Sequence, residues 1–300
     1  FLAIAIPAAY DGDGWTFGVA LMAGTAWVLG LQGAGLWSDP HPRGPFVRYA
    51  SLAGPGPVFV LVGGFLSVGP RTVLWLIGSI VSIAGAWAAN RASADDPDGG
   101  EVSWRVDPVH FAERHALFVI IVLGEVLVAI GVAATEHGLD GATSLAVVAA
   151  AWVAAVVWWA YFGFVSRFAE EALTHDHGVQ RAALARDLFT VGHFPIVVGV
   201  AFLASVIEHV VSDPTGHLHA DELWLLVTAV VLLVGGFLGL QFRLRRRLAE
   251  ERLAAIVAVG VLLPTVGPHV AGLVSLAIVG AVLTVMQAIT TRRVLGPRAA

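Results

Sequence analysis

Apolar segments of about 20 residues alternate with short polar segments along most of the chain. A bilayer core of about 30 Å requires about 20 apolar residues in each helix that spans it. The pattern therefore predicts an all-α, polytopic transmembrane helical bundle with a partial first helix at residues 1–9. Nine complete spans are predicted after it, at 15–37, 46–68, 71–89, 111–134, 143–167, 188–210, 222–242, 251–268 and 270–290. Pro55 and Pro57 predict a kink in the second span, and Pro264 predicts one in the eighth.

Positive charge is concentrated in alternate predicted loops. Of the seventeen basic residues, all arginines, sixteen lie in segments 38–48, 90–114, 166–187 and 243–252 and in the C-terminal tail. Because cytoplasmic loops retain positive charge, this alternation supports the number of spans and predicts a cytoplasmic C-terminus. The run at 245–247 is interpreted as ordinary orienting charge that can touch anionic lipid.

The composition excludes several classes of protein. Apolar residues make up 57% of the chain and charged residues 13%, with a mean hydropathy of +0.81 and a net charge of −5. Soluble domains contain about 45–50% apolar and about 25% charged residues, so a soluble enzyme, a disordered chain and a nucleic-acid binder are excluded. The lipid bilayer is the predicted partner. Cysteine is absent, which excludes disulfides and thiolate metal sites.

A weak internal similarity appears at an offset of 209 residues. Trp15 then matches Trp224, and eight of 43 ungapped positions are identical. The matched helices are six spans apart, so they predict a parallel repeat of six helices. Two similar hydrophobic stretches without a repeat are the alternative. The predicted division is 1–89 as the end of the first repeat, 90–110 as a cytoplasmic linker, and 111–300 as the second repeat with its tail. Such a repeat implies twelve helices in the intact protein.

The richest polar segment begins the fourth span. Asp107 is predicted to cap this helix with Pro108 at its first position, and Glu113 and Arg114 lie at its cytoplasmic end. Glu125 follows Arg114 by eleven residues, so it lies about 16 Å deeper on nearly the same helix face. A carboxylate near the bilayer middle must protonate or find a partner. The functional hypothesis is a proton carrier or cation ligand; the alternative is a buried group that only joins helices.

The sixth span contains a second group of candidate residues. His193 lies about two turns inside its cytoplasmic end, and Pro195 frees backbone carbonyls nearby. A titratable histidine beside a kink is typical of a gate or proton relay, and a hydrogen-bonded packing histidine is the alternative. Glu208, at the outer end, is either a site residue or merely solvated. Tyr161 is interpreted as an aromatic anchor at the membrane interface.

Metal and enzyme chemistry have little support in the sequence. The pairs His175 and His177, and His217 and His219, contain a residue type that binds zinc or nickel, but their spacing matches no strong motif. We therefore predict no metal, no cofactor and no enzyme activity. A membrane enzyme that acts on lipid through His193 and a carboxylate is the least supported alternative, because no nucleophile motif is present.

Residues His110 to Glu125 resemble the central helix of the bacterial low temperature requirement A family, in which a Glu-Arg pair precedes an apolar run and a Gly-Glu pair. These positions are here Glu113, Arg114, Gly124 and Glu125. Further similar features are the aromatic end of the fifth span, the His-x-Pro of the sixth span and the opening Ala-Ile-Pro. Gly163 stands where the family commonly has Asp, and the family's acidic-aromatic first helix is absent. The resemblance implies a bacterial inner-membrane protein, named for growth in the cold, whose biochemical activity is not settled.

The leading functional hypothesis is a transporter or channel for protons, ions or a small solute. Glu125 would respond to the ion or proton, with Arg114 and His193 as its partners. The alternative is a non-transporting structural or regulatory membrane protein for adaptation to cold or stress, in which the polar residues only specify packing.

Overall fold

A computed structural model describes residues 14–37, 43–94, 107–175 and 184–295. All regular secondary structure in these ranges is helical. Eleven α-helices follow one another, and we number them in chain order. They are α1 (Gly14–Gly35), α2 (Arg43–Ala53), α3 (Gly56–Gly64), α4 (Val68–Ala94), α5 (Pro108–His137), α6 (Gly141–Ala160), α7 (Ser166–His175), α8 (His193–Ser212), α9 (Ala220–Arg245), α10 (Glu250–Val266) and α11 (Gly272–Leu295). A π-helical segment, Tyr161–Val165, joins α6 to α7, and a second, Arg186–Val191, precedes α8.

The described helices form nine segments that are long and apolar enough to cross a bilayer. These segments correspond one by one to the nine predicted spans, so the prediction of an all-α transmembrane bundle is confirmed. Their surfaces are consistent with lipid contact, because large apolar side chains such as Trp27, Ile121 and Val148 are exposed. So many exposed large apolar side chains are not expected of a soluble monomer.

The chain divides into two compact units, residues 1–105 and 106–300. The boundary falls inside the predicted linker 90–110, whereas the six-helix repeat itself stays a prediction. In the first unit, the predicted kink at Pro55 is a break, because α2 ends at Ala53 and α3 begins at Gly56. Proline has no backbone N–H to continue the helical ladder.

Close helix packing in the first unit depends on glycine. A Cβ at Gly85 in α4 would overlap the carbonyl of Leu52 in α2, and one at Gly78 would lie 2.6 Å from the carbonyl oxygen of Gly56. Small residues at such crossings let membrane helices approach closely.

The second unit is arranged around α8, which packs on α5 and α9. Its buried side chains include Leu203 and Ile207 of α8 and Leu233 of α9. A Cβ at Gly199 would lie 2.7 Å from the Ala229 carbonyl oxygen, so the α8–α9 crossing is also close.

Asp107 caps α5 as predicted, because its carboxylate accepts a hydrogen bond from the backbone N–H of His110 at 3.1 Å. The first turn of α8 lies between α5 and the end of α6, where His193 meets His115 and Tyr161.

Candidate functional site

The two π-helical segments mark one region of the second unit. One contains Tyr161 and the other contains Leu188 and Phe189, and both lie close to the first residue of α8, His193. A π segment adds a residue to the helical turn and is frequent at functional sites. These segments position Tyr161 and the backbone around His193.

His193 is held by hydrogen bonds at both ring nitrogens. Its side chain is buried, with 3% exposure, and Nδ1 lies 2.8 Å from the carbonyl oxygen of Leu188. Because a carbonyl can only accept, Nδ1 carries the proton and donates. The Nε2 atom lies 2.7 Å from the hydroxyl of Tyr161, which is 1% exposed. In the neutral imidazole, Nε2 therefore accepts the hydrogen bond that Tyr161 donates.

A second histidine, His115 of α5, lies beside this pair. The centroids of its ring and the His193 ring are 5.5 Å apart. Phe189 stacks on His193 at 5.3 Å and meets His115 edge-on at 4.9 Å, so one aromatic ring contacts both imidazoles. The Nδ1 atom of His115 donates to the carbonyl of Phe111 at 2.9 Å, which leaves Nε2 available for a ligand. The result is a short series of polar rings, from His115 through His193 to Tyr161.

His115, His193 and Phe189 border a cleft of about 400 Å³ in the second unit, and Tyr161 lies behind His193 without lining it. Its lining residues are Arg114, His115, Phe118, Phe189, His193, Phe194 and Val197. One guanidinium and two imidazoles thus face a mainly apolar space. The cleft can bind an anion through Arg114, or it can deliver a proton to the imidazole series.

The structure brings two of the five candidate site residues, Arg114 and His193, to this cleft. Glu125 does not line it. Its carboxylate is exposed on the surface of α5, about 16 Å along the helix from Arg114, and makes no hydrogen bond or ion pair with other described residues. The expected grouping of Glu125 with Arg114 and His193 is therefore not present within the second unit.

Glu113 and Glu208 also lie outside the cleft. Glu113 is exposed, with its Oε2 atom 4.0 Å from Nδ1 of His110 in the same turn of helix. Glu208 is exposed fifteen residues beyond His193 in α8, which places it about 22 Å away at 1.5 Å per residue. Neither carboxylate is among the residues that line the cleft.

Two residues of the site, Tyr161 and His115, were not among the predicted candidates. The sequence predicts an interface anchor at Tyr161, but the residue is buried and hydrogen-bonded to His193. The composition of an aromatic helix end does not distinguish these two roles. His115 carried a local signal, because it follows Arg114 directly and lies four residues after Phe111, on one side of α5.

The histidine pairs considered for metal binding do not form a centre in the described part of the chain. His177 lies outside the described residues. Within them, no group of three or more His, Asp or Glu side chains is arranged to hold a metal ion, and His217 and His219 have no third ligand.

Comparison with known proteins gives two matches. A family model described as "Bacterial low temperature requirement A protein (LtrA)" matches residues 1–288. An uncharacterized protein of Rhizobium meliloti (strain 1021) is 31% identical over 224 residues, which are 68% of this chain and 49% of that protein. The chain therefore spans about half the length of this curated relative. No solved structure matches the chain.

Proposed function

We propose that this chain, which belongs to the bacterial low temperature requirement A family, is a transporter or channel for protons, ions or a small solute. It is an integral membrane protein, with nine described segments able to span a bilayer. We further propose that it resides in the bacterial cytoplasmic membrane with its C-terminus in the cytoplasm, and that it is not an enzyme.

The observation that carries the proposal is the hydrogen-bonded pair of Tyr161 and His193 beside the cleft. In the neutral state, Tyr161 donates to Nε2 of His193 across 2.7 Å. When His193 is protonated, Nε2 donates instead, and the hydroxyl oxygen of Tyr161 accepts. The pair can therefore hold either protonation state without a change in its heavy-atom positions. A group with this property, reached from an open cleft, suits proton transfer or a response to bound ions.

Glu125 gives the proposal a second support. A carboxylate on a membrane-spanning helix is costly, so such residues generally face a cavity or a partner and mark ion or proton pathways. Glu125 lies on the same side of α5 as Arg114 and is exposed on the surface of its unit. We propose that Glu125 takes up the proton or cation deeper in the membrane and that the cleft serves the cytoplasmic end of the same path.

Flux measurements in proteoliposomes test this function. We would record proton and monovalent-cation flux under an imposed potential for the wild-type protein and for Glu125→Gln. Glu136→Gln is the matched control, because Glu136 is an exposed residue eleven positions further along the same helix face, at the end of the span. We expect the flux to be lost in Glu125→Gln and retained in Glu136→Gln.

Two other outcomes would contradict the proposal. An equal flux in the wild type and in folded Glu125→Gln would show that the carboxylate of Glu125 is not needed for proton or cation transport. No flux in folded wild-type protein, over several pH values, would favour the structural or regulatory alternative for adaptation to cold or stress.

A further inference from the structure

A second pocket in the second unit, distinct from the histidine cleft, is rich in arginine. It has a volume of about 210 Å³ and lies among α7, α9, α10 and α11, next to the loop 246–249. Four arginines and one glutamate are among its lining residues: Arg245, Arg247, Glu251, Arg252 and Arg293. The sequence interpretation of this loop as ordinary orienting charge did not anticipate a pocket.

The charges in this pocket do not balance. The carboxylate of Glu251 accepts a hydrogen bond from Nη1 of Arg293 at 2.8 Å, and the exposed carboxylate of Glu250 lies 3.3 Å from Nη2 of the same arginine, so the charge of Arg293 is balanced. The other three arginines, Arg245, Arg247 and Arg252, have no carboxylate within 4.0 Å among the described residues. The pocket therefore has an excess of positive charge.

Arg252 is the buried member of this group of unbalanced arginines. The side chain is 4% exposed, and its Nη1 atom donates to the backbone carbonyl of Phe237. Its Nε atom is buried and has no hydrogen-bond partner in the described structure. A guanidinium cannot lose its proton at ordinary pH, so the group must remain charged. A buried cation with an unpaired donor is costly unless an anion accompanies it.

The remaining walls indicate what kind of anion fits. Phe164, Phe168, Phe237 and Leu240 make much of the pocket apolar, and the guanidinium of Arg245 lies 4.4 Å from the centre of the Phe168 ring. The pocket is next to the loop whose arginines predict a cytoplasmic location, where membrane lipids are often anionic. The planar guanidinium group of arginine has paired N–H donors that match the oxygens of a phosphate group in geometry and charge.

We infer that this pocket binds a phosphate ester, supplied by the headgroup of an anionic phospholipid or by a free phosphate compound. The phosphate lies among Arg245, Arg247 and Arg252. The apolar wall favours the lipid source, because it can contact the glycerol and the first methylene groups of an acyl chain. This site is independent of the transport proposed for the histidine cleft.

Lipid binding can be measured by native mass spectrometry of the protein with phosphatidylglycerol and with phosphatidylcholine. The test variant is Arg247→Gln, because Arg247 lines the pocket and is exposed enough to be replaced without unfolding the protein. Its matched control is Arg246→Gln, which removes the same charge from the adjacent exposed residue that does not line the pocket. Arg252→Lys keeps the positive charge but removes the paired N–H donors of the guanidinium group.

We expect phosphatidylglycerol to bind in preference to phosphatidylcholine. Arg247→Gln should weaken this binding about tenfold, the effect of losing one charge-assisted hydrogen bond, whereas Arg246→Gln should change it less than about twofold. Arg252→Lys should weaken it as well. Equal binding by the Arg246 and Arg247 variants would overturn the inference, since only general surface charge would then be involved.

The second arm identifies the source of the phosphate. The protein in phosphatidylcholine nanodiscs is heated with and without inorganic phosphate, and its midpoint of thermal unfolding is recorded. A rise with phosphate that Arg247→Gln abolishes, without any preference for phosphatidylglycerol, would support the site with a free compound as its ligand. No response to either probe would refute it.

Discussion

Tyr161→Phe removes one oxygen atom from the most enclosed polar contact of the candidate site. Its hydroxyl and Nε2 of His193 are 2.7 Å apart, and the two side chains are 1% and 3% exposed. Without the hydroxyl, Nε2 becomes a buried acceptor without a partner. Such a loss costs about 1–3 kcal/mol in general, while single hydrogen bonds between membrane helices contribute about 0.6–2 kcal/mol.

We therefore expect Tyr161→Phe to lower the free energy of unfolding by about 1–2 kcal/mol. Denaturant titration of the protein in mild detergent would measure the change. Tyr49→Phe is the matched control, because Tyr49 is 38% exposed in the first unit and its replacement should cost less than about 0.5 kcal/mol. The double variant with His193→Phe removes both partners and should show a coupling energy of about 1 kcal/mol.

The reasoning would be refuted if Tyr161→Phe were as stable as Tyr49→Phe. The contact between Tyr161 and His193 would then contribute nothing to joining the π segment after α6 to α8. A coupling energy of zero in the double variant would lead to the same conclusion, even if the single variant were destabilised.

Three further predictions concern the rest of the chain. Gly85→Ala should destabilise the protein by about 1–3 kcal/mol, because the added Cβ would overlap a backbone carbonyl of α2. Gly30→Ala, at which the added Cβ meets nothing within 4 Å, should be neutral or stabilising by up to about 1 kcal/mol, and denaturant titration would measure both variants. Glu251→Gln should cost about 1–3 kcal/mol in denaturant titration, since its side chain is 4% exposed and paired with an arginine. Glu250→Gln, 83% exposed on the same arginine, should cost less than about 0.5 kcal/mol, and equal effects would contradict the burial argument. Asp140 lies outside the spans, and the backbone N–H of Thr143 lowers its pKa below the ordinary 3.8. Its ionised form therefore stabilises the protein above that pH, and the advantage over Asp140→Asn should disappear as pH falls through the lowered pKa. A stability difference that did not change with pH would show that the charge has no role.

The nine spans and the helical class could be predicted from the sequence because the bilayer fixes both the length and the apolar composition of each spanning helix. Every backbone polar group in the hydrocarbon core must be satisfied within its own helix, and each helix must be about 20 apolar residues long. The cap at Asp107 and a disturbance of the helix at Pro55 were also predictable, although as a kink and not as the observed break, since both depend on residues within a few positions of one another.

The tertiary structure alone decided which polar groups meet. Tyr161 and His193 are 32 residues apart, and Glu251 and Arg293 are 42 apart, so their contacts depend on how the helices cross and rotate. In a membrane protein, the side that faces lipid is as apolar as the side that faces other helices. The hydrophobic pattern therefore could not show that Tyr161 is buried while Glu125 is exposed. It identified the helices, but the packing of their faces determined the candidate site.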